Sequence, residues 1–441
     1  MHLIWENVVK NLMLLWSGDY KGLSSGKESY EFSSSLWEAI GLASADSGST
    51  IPSCFGPRSP NVASEKVSWT ADSRSFWTLF VAPIVLKGRF MHDKYYAHFV
   101  DFVQLINKCL QYELRRSEVA EIKAGFVCWV KKYEEFYYQY DPSRLSACPL
   151  TIHALLHIAD SIVLAGPVWT SWAFPMERYC AFIQPAFKSR RFPFASVNRF
   201  ILDHARLSHI QVLYDAAAVL RLRGEELDGY YGGYCLREYD HCAFLPSSRL
   251  RTFEQGITSK IIGALCTRFT TTPAVMRRVL HGEFREWARI RILPNGDTIR
   301  AAAYGSTSGA IAQGYGNTSR DATFIRYQLL VDKNARARHR DPSFTLQTFY
   351  GQLMHVVAAE IDAIPGRNIP PSRIVFGIIR SCKIEEHHPK LDVHYYSEEG
   401  PVDVIDISTV QCLVGRVFDR GRWGIFDRSG LLSRAIYTED E

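Results

Sequence analysis

Residues 153–201 read HALLHIADSIVLAGPVWTSWAFPMERYCAFIQPAFKSRRFPFASVNRFI, and the interpretation of the whole chain turns on this stretch. Its first part is helical in period, follows Pro149 and stops at Gly166, the usual asymmetry of helix ends. An aromatic turn with Trp169, Trp172 and Phe174 comes next. Pro175, as the first residue of a new helix, would put Glu177 at its third position, where a carboxylate meets unpaired backbone N–H groups and the positive end of the helix dipole. That use is structural, and Arg178 and Tyr179 suit it by pairing and packing. The other use is chemical: an acid held among aromatic rings at a helix start is placed to bind a divalent metal beside a phosphodiester. Local physics leaves both open.

Outward from this stretch the chain divides in two. Toward the N-terminus the pattern is helical. MHLIWENVVKNLMLLW carries Leu3, Ile4, Val8, Leu12 and Leu15 at helical spacing, and Glu6, Asn7, Lys10 and Asn11 break it too often for a signal peptide. Ala43 to Asn61 is an irregular Gly/Ser/Pro-rich connection, and Thr70 to Tyr140 holds three helices with Thr70 or Asp72 as N-cap. Val197 to Arg223 adds a sixth helix and room for a seventh. Toward the C-terminus, SKIIGALCTRF and PAVMRRVLHGEFREWARIRIL still look helical, and AAAYGSTSGAIAQGYGNTSR reads as a linker. Beyond it, short β-branched and aromatic runs predict a small β-barrel or sandwich whose last hairpin turns at Asp419 to Gly421. The expected class is therefore α+β and multidomain, divided at 1–61, 62–245, 246–320 and 321–441.

With 441 residues, 47% of them apolar, the chain can bury sizeable cores, and its net charge of +5 decides little. Charge is instead local. Residues 277–340 hold twelve Arg and Lys against five acids, and KSRR spans Lys188 to Arg191. Such segments neutralise phosphates without reading sequence. The ten cysteines are scattered, with no C-x-x-C pair, which suits a reducing, intracellular setting. No run of about 18 apolar residues predicts a membrane span, and GSTSGAIAQGYG lacks the lysine of a nucleotide phosphate loop. His153 and His157 have the i, i+4 spacing of a zinc pair without a third ligand, and Cys235, His241 and Cys242, with His204 or His209, match no standard finger; packing is the favoured use of both. Packing is likewise favoured over base stacking for YEEFYYQY at 133–140.

The order of parts in residues 153–201, a two-histidine helix, a Gly-Pro-Val turn, an aromatic segment, Glu-Arg-Tyr and a basic segment, resembles the corresponding region of CACTA-type (En/Spm) transposases. The opening MHLIWENVVKNLMLLW is similar to a segment of the fungal branch, and Thr348 to Gly430 to the family's β-rich C-terminal domain. The resemblance implies an RNase H-like core, split by a helical insertion, in which three acids hold two Mg²⁺ ions for DNA cleavage and strand transfer. By position Glu177 is the third acid and His2 the family's histidine, while the Asp expected just before Met1, and an earlier one, are not in this sequence. The chain is thus expected to correspond to the C-terminal portion of such a transposase and not to cut DNA alone. The resemblance further implies a nuclear protein with DNA, chromatin or other transposase subunits as partners. The residues expected at phosphates are Lys188, Arg190, Arg191, Arg277, Arg278, Arg336, Arg338 and Arg340. The alternative is a non-enzymatic nuclear scaffold derived from a transposable element.

Overall fold

Helical and strand-rich halves are both present, and the chain is α+β. The computed structural model describes residues 2–428, apart from 57, 65–68, 217–218, 221–232, 295, 306–319, 335–338, 340 and 365–368. Arg336, Arg338 and Arg340 therefore lie outside the described residues, as does most of the expected linker.

In the helical half the first helix begins as a π-turn, His2–Val9, and continues as Lys10–Trp16. The wider turn rotates the buried face, so Trp5 and Val9 join Val8, Leu12 and Leu15 in the core while Leu3 and Ile4 are only partly covered. Thr70 is the N-cap predicted for the next long segment, its Oγ1 accepting from the Ser73 N–H at 3.2 Å. Helices Asp93–Cys109 and Arg116–Tyr133 then pack side by side. Gly125 makes their approach close, since a Cβ there would lie 2.4 Å from Leu105 Cδ2. Tyr133, Phe136 and Tyr137 are all buried in this core, and the Trp16 indole donates to Tyr137 Oη at 3.0 Å. These three rings of the run at 133–140 serve packing, whereas Tyr140 is 65% exposed.

Among the described residues, twelve strands form the other half: β1 Cys242–Arg251, β2 Phe284–Ile292, β3 Thr298–Arg300, β4 Phe324–Asp332, β5 Phe344–Ile361, β6 Ser372–Cys382, β7 Glu386–His387, β8 Val393–Tyr396, β9 Glu399–Asp406, β10 Val410–Leu413, β11 Gly415–Asp419 and β12 Arg422–Phe426. They do not close into the expected small barrel. Among the described residues they make two open sheets, one of eight strands and one of four. The reason is β5, whose 18 residues pair with β4 and then β2 along one edge and with β6 along the other, so the sheet branches instead of closing.

One reading of the sequence is corrected here, and one stretch it left open is assigned. The helix expected through 273–293 is only Pro273–Val279, and Phe284–Ile292 is a strand. Short apolar runs dotted with arginine fit either period, and pairing with β1 and β5 decides this one. CAFLPSSRLR, unassigned from sequence, is also a strand, with Pro246 inside the bulge between Leu245 and Ser248 of edge strand β1. Strands from 242–300 thus share a sheet with strands from 324–413. The last hairpin does turn at Asp419 to Gly421, with Arg420 and Gly421 both at positive φ.

The four-stranded sheet, β11-β12-β8-β7, joins the two halves. Val393, Tyr395, Val417 and Phe426 point into the helical core, whereas Tyr396 and Ile425 pack with Phe324 and Tyr350 of the larger sheet. Strand alternation thus serves two cores at once. Lys87–Glu386 and Arg89–Asp419 ion pairs, and the Gln104 side-chain amide donating to the Lys390 carbonyl at 2.8 Å, tie its rim to the helices.

Candidate functional site

Glu177 sits on helix Phe174–Ile183, one place deeper than expected. Its N–H donates to the Ala173 carbonyl at 3.0 Å, an ordinary helical bond, so it is the fourth helical residue, and its side chain does not cap the helix. The turn before it is pinned to the helical half from several sides. The Trp169 indole N–H donates to the Tyr112 carbonyl at 3.0 Å, Thr170 Oγ1 donates to the carbonyls of Ala165 and Pro167, and Val168 and Phe174 pack on the core. Trp172 meets Phe174 edge to face. The aromatic segment anchors this helix; it does not seal Glu177, whose side chain is 50% exposed.

What faces that carboxylate is His2. Its Nε2 lies 3.8 Å from Glu177 Oε1, while its Nδ1 is 3.2 Å from Glu6 Oε2. Glu6 in turn stands 3.7 Å from the Arg74 guanidinium, which is 9% exposed. An alternating row, Arg74, Glu6, His2, Glu177, therefore crosses from the first helix to the helix of the Glu-Arg-Tyr motif. His2 and Glu177 are brought together; Glu6 was legible only as a residue four places after His2, the spacing of a helical pair.

Mg²⁺ wants octahedral oxygen donors, and two-ion phosphodiester chemistry needs several carboxylates. Here one glutamate faces an imidazole and the other leans to an arginine, and among the described residues no three His, Cys, Asp or Glu side chains are grouped closely enough to hold an ion. Cys235, His241, Cys242, His204 and His209 form no such group either. His153 and His157 do approach, Nε2 to Nε2 at 3.2 Å on an exposed helix face.

The basic residues separate into two kinds. Lys188, Arg190, Arg191, Arg277 and Arg278 are exposed. Others of the 277–340 segment are taken up by the fold: Arg320 is 8% exposed, and Arg326 pairs with Asp427 at 3.2 Å. Among the described residues, the basic side chains of 277–340 are thus divided between solvent and the fold. Lys188 to Arg191 instead lead into helix Pro193–Leu213, which adds Arg199 and Arg206 and contains no buried residue. That helix touches its neighbour mainly through Phe182, Phe200 and His204. Phe194, Leu202, Val212 and Leu213 along it are more than half exposed.

No single helix among the described residues is long and apolar enough to cross a membrane; Leu150–Ala165 and Val168–Ala186 pass that test only together, and they are bent by 74°. No family model, no curated protein and no solved structure matches the chain.

Proposed function

We propose that this chain is a nuclear, DNA-associated protein of the CACTA-type transposase line that does not cut DNA by itself. The observation that carries the reading is the 3.8 Å approach of His2 to Glu177, because the resemblance singles out these two residues from well-separated segments. On this reading the Glu177 helix and its successor are the last helices of an RNase H-like core, and the helices at 71–133 are its insertion. A lone carboxylate next to an imidazole can orient water or a phosphate, but it cannot place the paired cations that activate the nucleophile and stabilise the leaving oxygen. Binding without cleavage is the consequence.

DNA contact is assigned to the exposed segment from Lys188 through helix Pro193–Leu213. Its basic side chains stand in water, and phosphate neutralisation there releases counterions. A second element supports the same partner. The outer halves of β4 and β5, Gln328 to Asp332 against Phe344 to Thr348, pair only with each other among the described residues, forming a projecting ribbon. Arg336, Arg338 and Arg340 lie between them in sequence. Two-stranded ribbons of this kind enter DNA grooves.

The test is binding of a labelled duplex followed over a salt series. Replacing Lys188, Arg190 and Arg191 by Ala is expected to flatten the log–log slope by about 2.7 if all three meet phosphates. An unchanged slope would remove the segment from the interface. Mg²⁺-dependent nicking of supercoiled DNA that disappears in Glu177→Gln would overturn the inactivity. The exposed Phe194, Leu202, Val212 and Leu213 favour a second reading, a non-enzymatic scaffold contacting chromatin or transposase subunits. Salt-insensitive or absent DNA binding by the intact chain would select it.

A further inference from the structure

Strands β7 and β8 place His387 directly opposite His394. Their rings meet nearly at right angles, and the two Nδ1 atoms are 2.7 Å apart. On the far side of the His394 ring, Nε2 lies 2.9 Å from Asp392 Oδ1. The Asp392 carboxylate accepts from the His394 Nε2–H at this distance. The tautomer of His394 is thereby set: the proton sits on Nε2 and the lone pair of Nδ1 is aimed at His387. His387 is exposed, whereas the His394 side chain is only 14% exposed, lying against the Tyr350 ring at 4.7 Å.

We propose that His387 and His394 are a clamp for a late first-row divalent cation, Zn²⁺, Ni²⁺ or Cu²⁺. Each part of the arrangement has a counterpart in such sites. Imidazole nitrogen is the donor these ions favour. A carboxylate on the distal nitrogen of a ligating histidine is the usual outer partner, which orients the ring and raises its basicity. Cis nitrogens about 2.0–2.1 Å from a metal stand about 2.9–3.4 Å apart, so the two Nδ1 atoms have to separate by only a few tenths of an ångström, a movement open to the exposed His387. His387 donates from Nδ1 to His394 Nδ1; on binding, its proton moves to Nε2 and the rings turn so that the two Nδ1 lone pairs converge on an ion to one side of the line between them. No third protein donor joins them among the described residues. The remaining positions are open to water or to a donor from a bound partner.

The exposed His153–His157 pair would compete in a titration, so the test uses tag-free full-length protein carrying His153→Ala and His157→Ala. Calorimetric titration with Ni²⁺ or Zn²⁺ is expected to show one ion per chain. His387→Asn, which keeps the side chain polar at an exposed position, and His394→Asn should each abolish uptake, and Asp392→Asn should weaken it by about tenfold. Cu²⁺ added to the same protein should give an electron-paramagnetic signal split by two nitrogens, and His387→Asn should remove that signal. Uptake that survives both His387→Asn and His394→Asn, or no uptake with ion in large excess, would overturn the assignment.

Discussion

At the scale of single residues, the sharpest chemistry is where polar groups have been taken out of water. His98 is 1% exposed, stacks on Trp129 at 4.4 Å, and its Nε2–H donates to the Trp129 carbonyl at 3.1 Å. Burial pushes its pKa down to about 4, so the folded protein holds the ring neutral. Because the unfolded chain takes up the proton first, the contribution is complete above the ordinary value of 6.5 and is lost as pH falls from there toward 4, about 3 kcal/mol in all. Urea midpoints measured between pH 7 and 4 should therefore fall steeply for the native chain. His98→Gln, which keeps the donor without the titration, should flatten that fall. Glu286 shows the opposite balance. Its side chain is fully buried and burial alone would raise its pKa, but His355 at 2.6 Å and Arg249 at 2.7 Å more than offset this and hold the carboxyl low. Nothing in the sequence around Glu286 marks it as buried, since Arg285 beside it is exposed and the partners come from β1 and β5.

At the scale of elements, the contrast between helices is large. Asp93–Cys109 buries ten residues, while Phe174–Ile183 and Pro193–Leu213 bury none. Helix stability in proteins comes mostly from packing an apolar face, and these two have little packed against them. In hydrogen–deuterium exchange, amides of 193–213 should exchange far faster than those of 93–109 in the free protein. Added duplex DNA should slow the former if the DNA reading of this arm holds. Protection of 193–213 already equal to that of 93–109 without any ligand would mean the arm is covered in solution. The sequence showed that these stretches are helical but not that they stand away from the core, because an apolar face looks the same whether or not a partner covers it.

At the scale of the whole molecule, the four-stranded sheet makes the helical and strand-rich halves depend on each other. Gly424 of β12 lies at this junction: a Cβ there would lie 2.7–2.9 Å from three atoms of Ile84. Ile84 is itself buried, at 3% exposure. Gly424→Val is accordingly expected to cost about 1–3 kcal/mol and to lower the melting temperature of the whole chain. If calorimetry instead shows two transitions of which the variant shifts only one, the halves unfold separately and the shared-core account fails.

The sequence by itself determined what depends on near neighbours. It marked the first helix, the Thr70 cap, the helix stop at Gly166, the run of strands after 324 and the turn at Asp419 to Gly421, because caps, periods and turns are set within a few residues. Tertiary structure alone decided the branching of the sheet around β5, the strand state of Phe284–Ile292, the two-faced role of β8 and β12, and the depth of Glu177 in its helix. It also decided that His2 reaches Glu177 and that His387 meets His394. Those outcomes depend on which distant backbone offers a hydrogen-bonding edge or an apolar surface, and no local period encodes that choice.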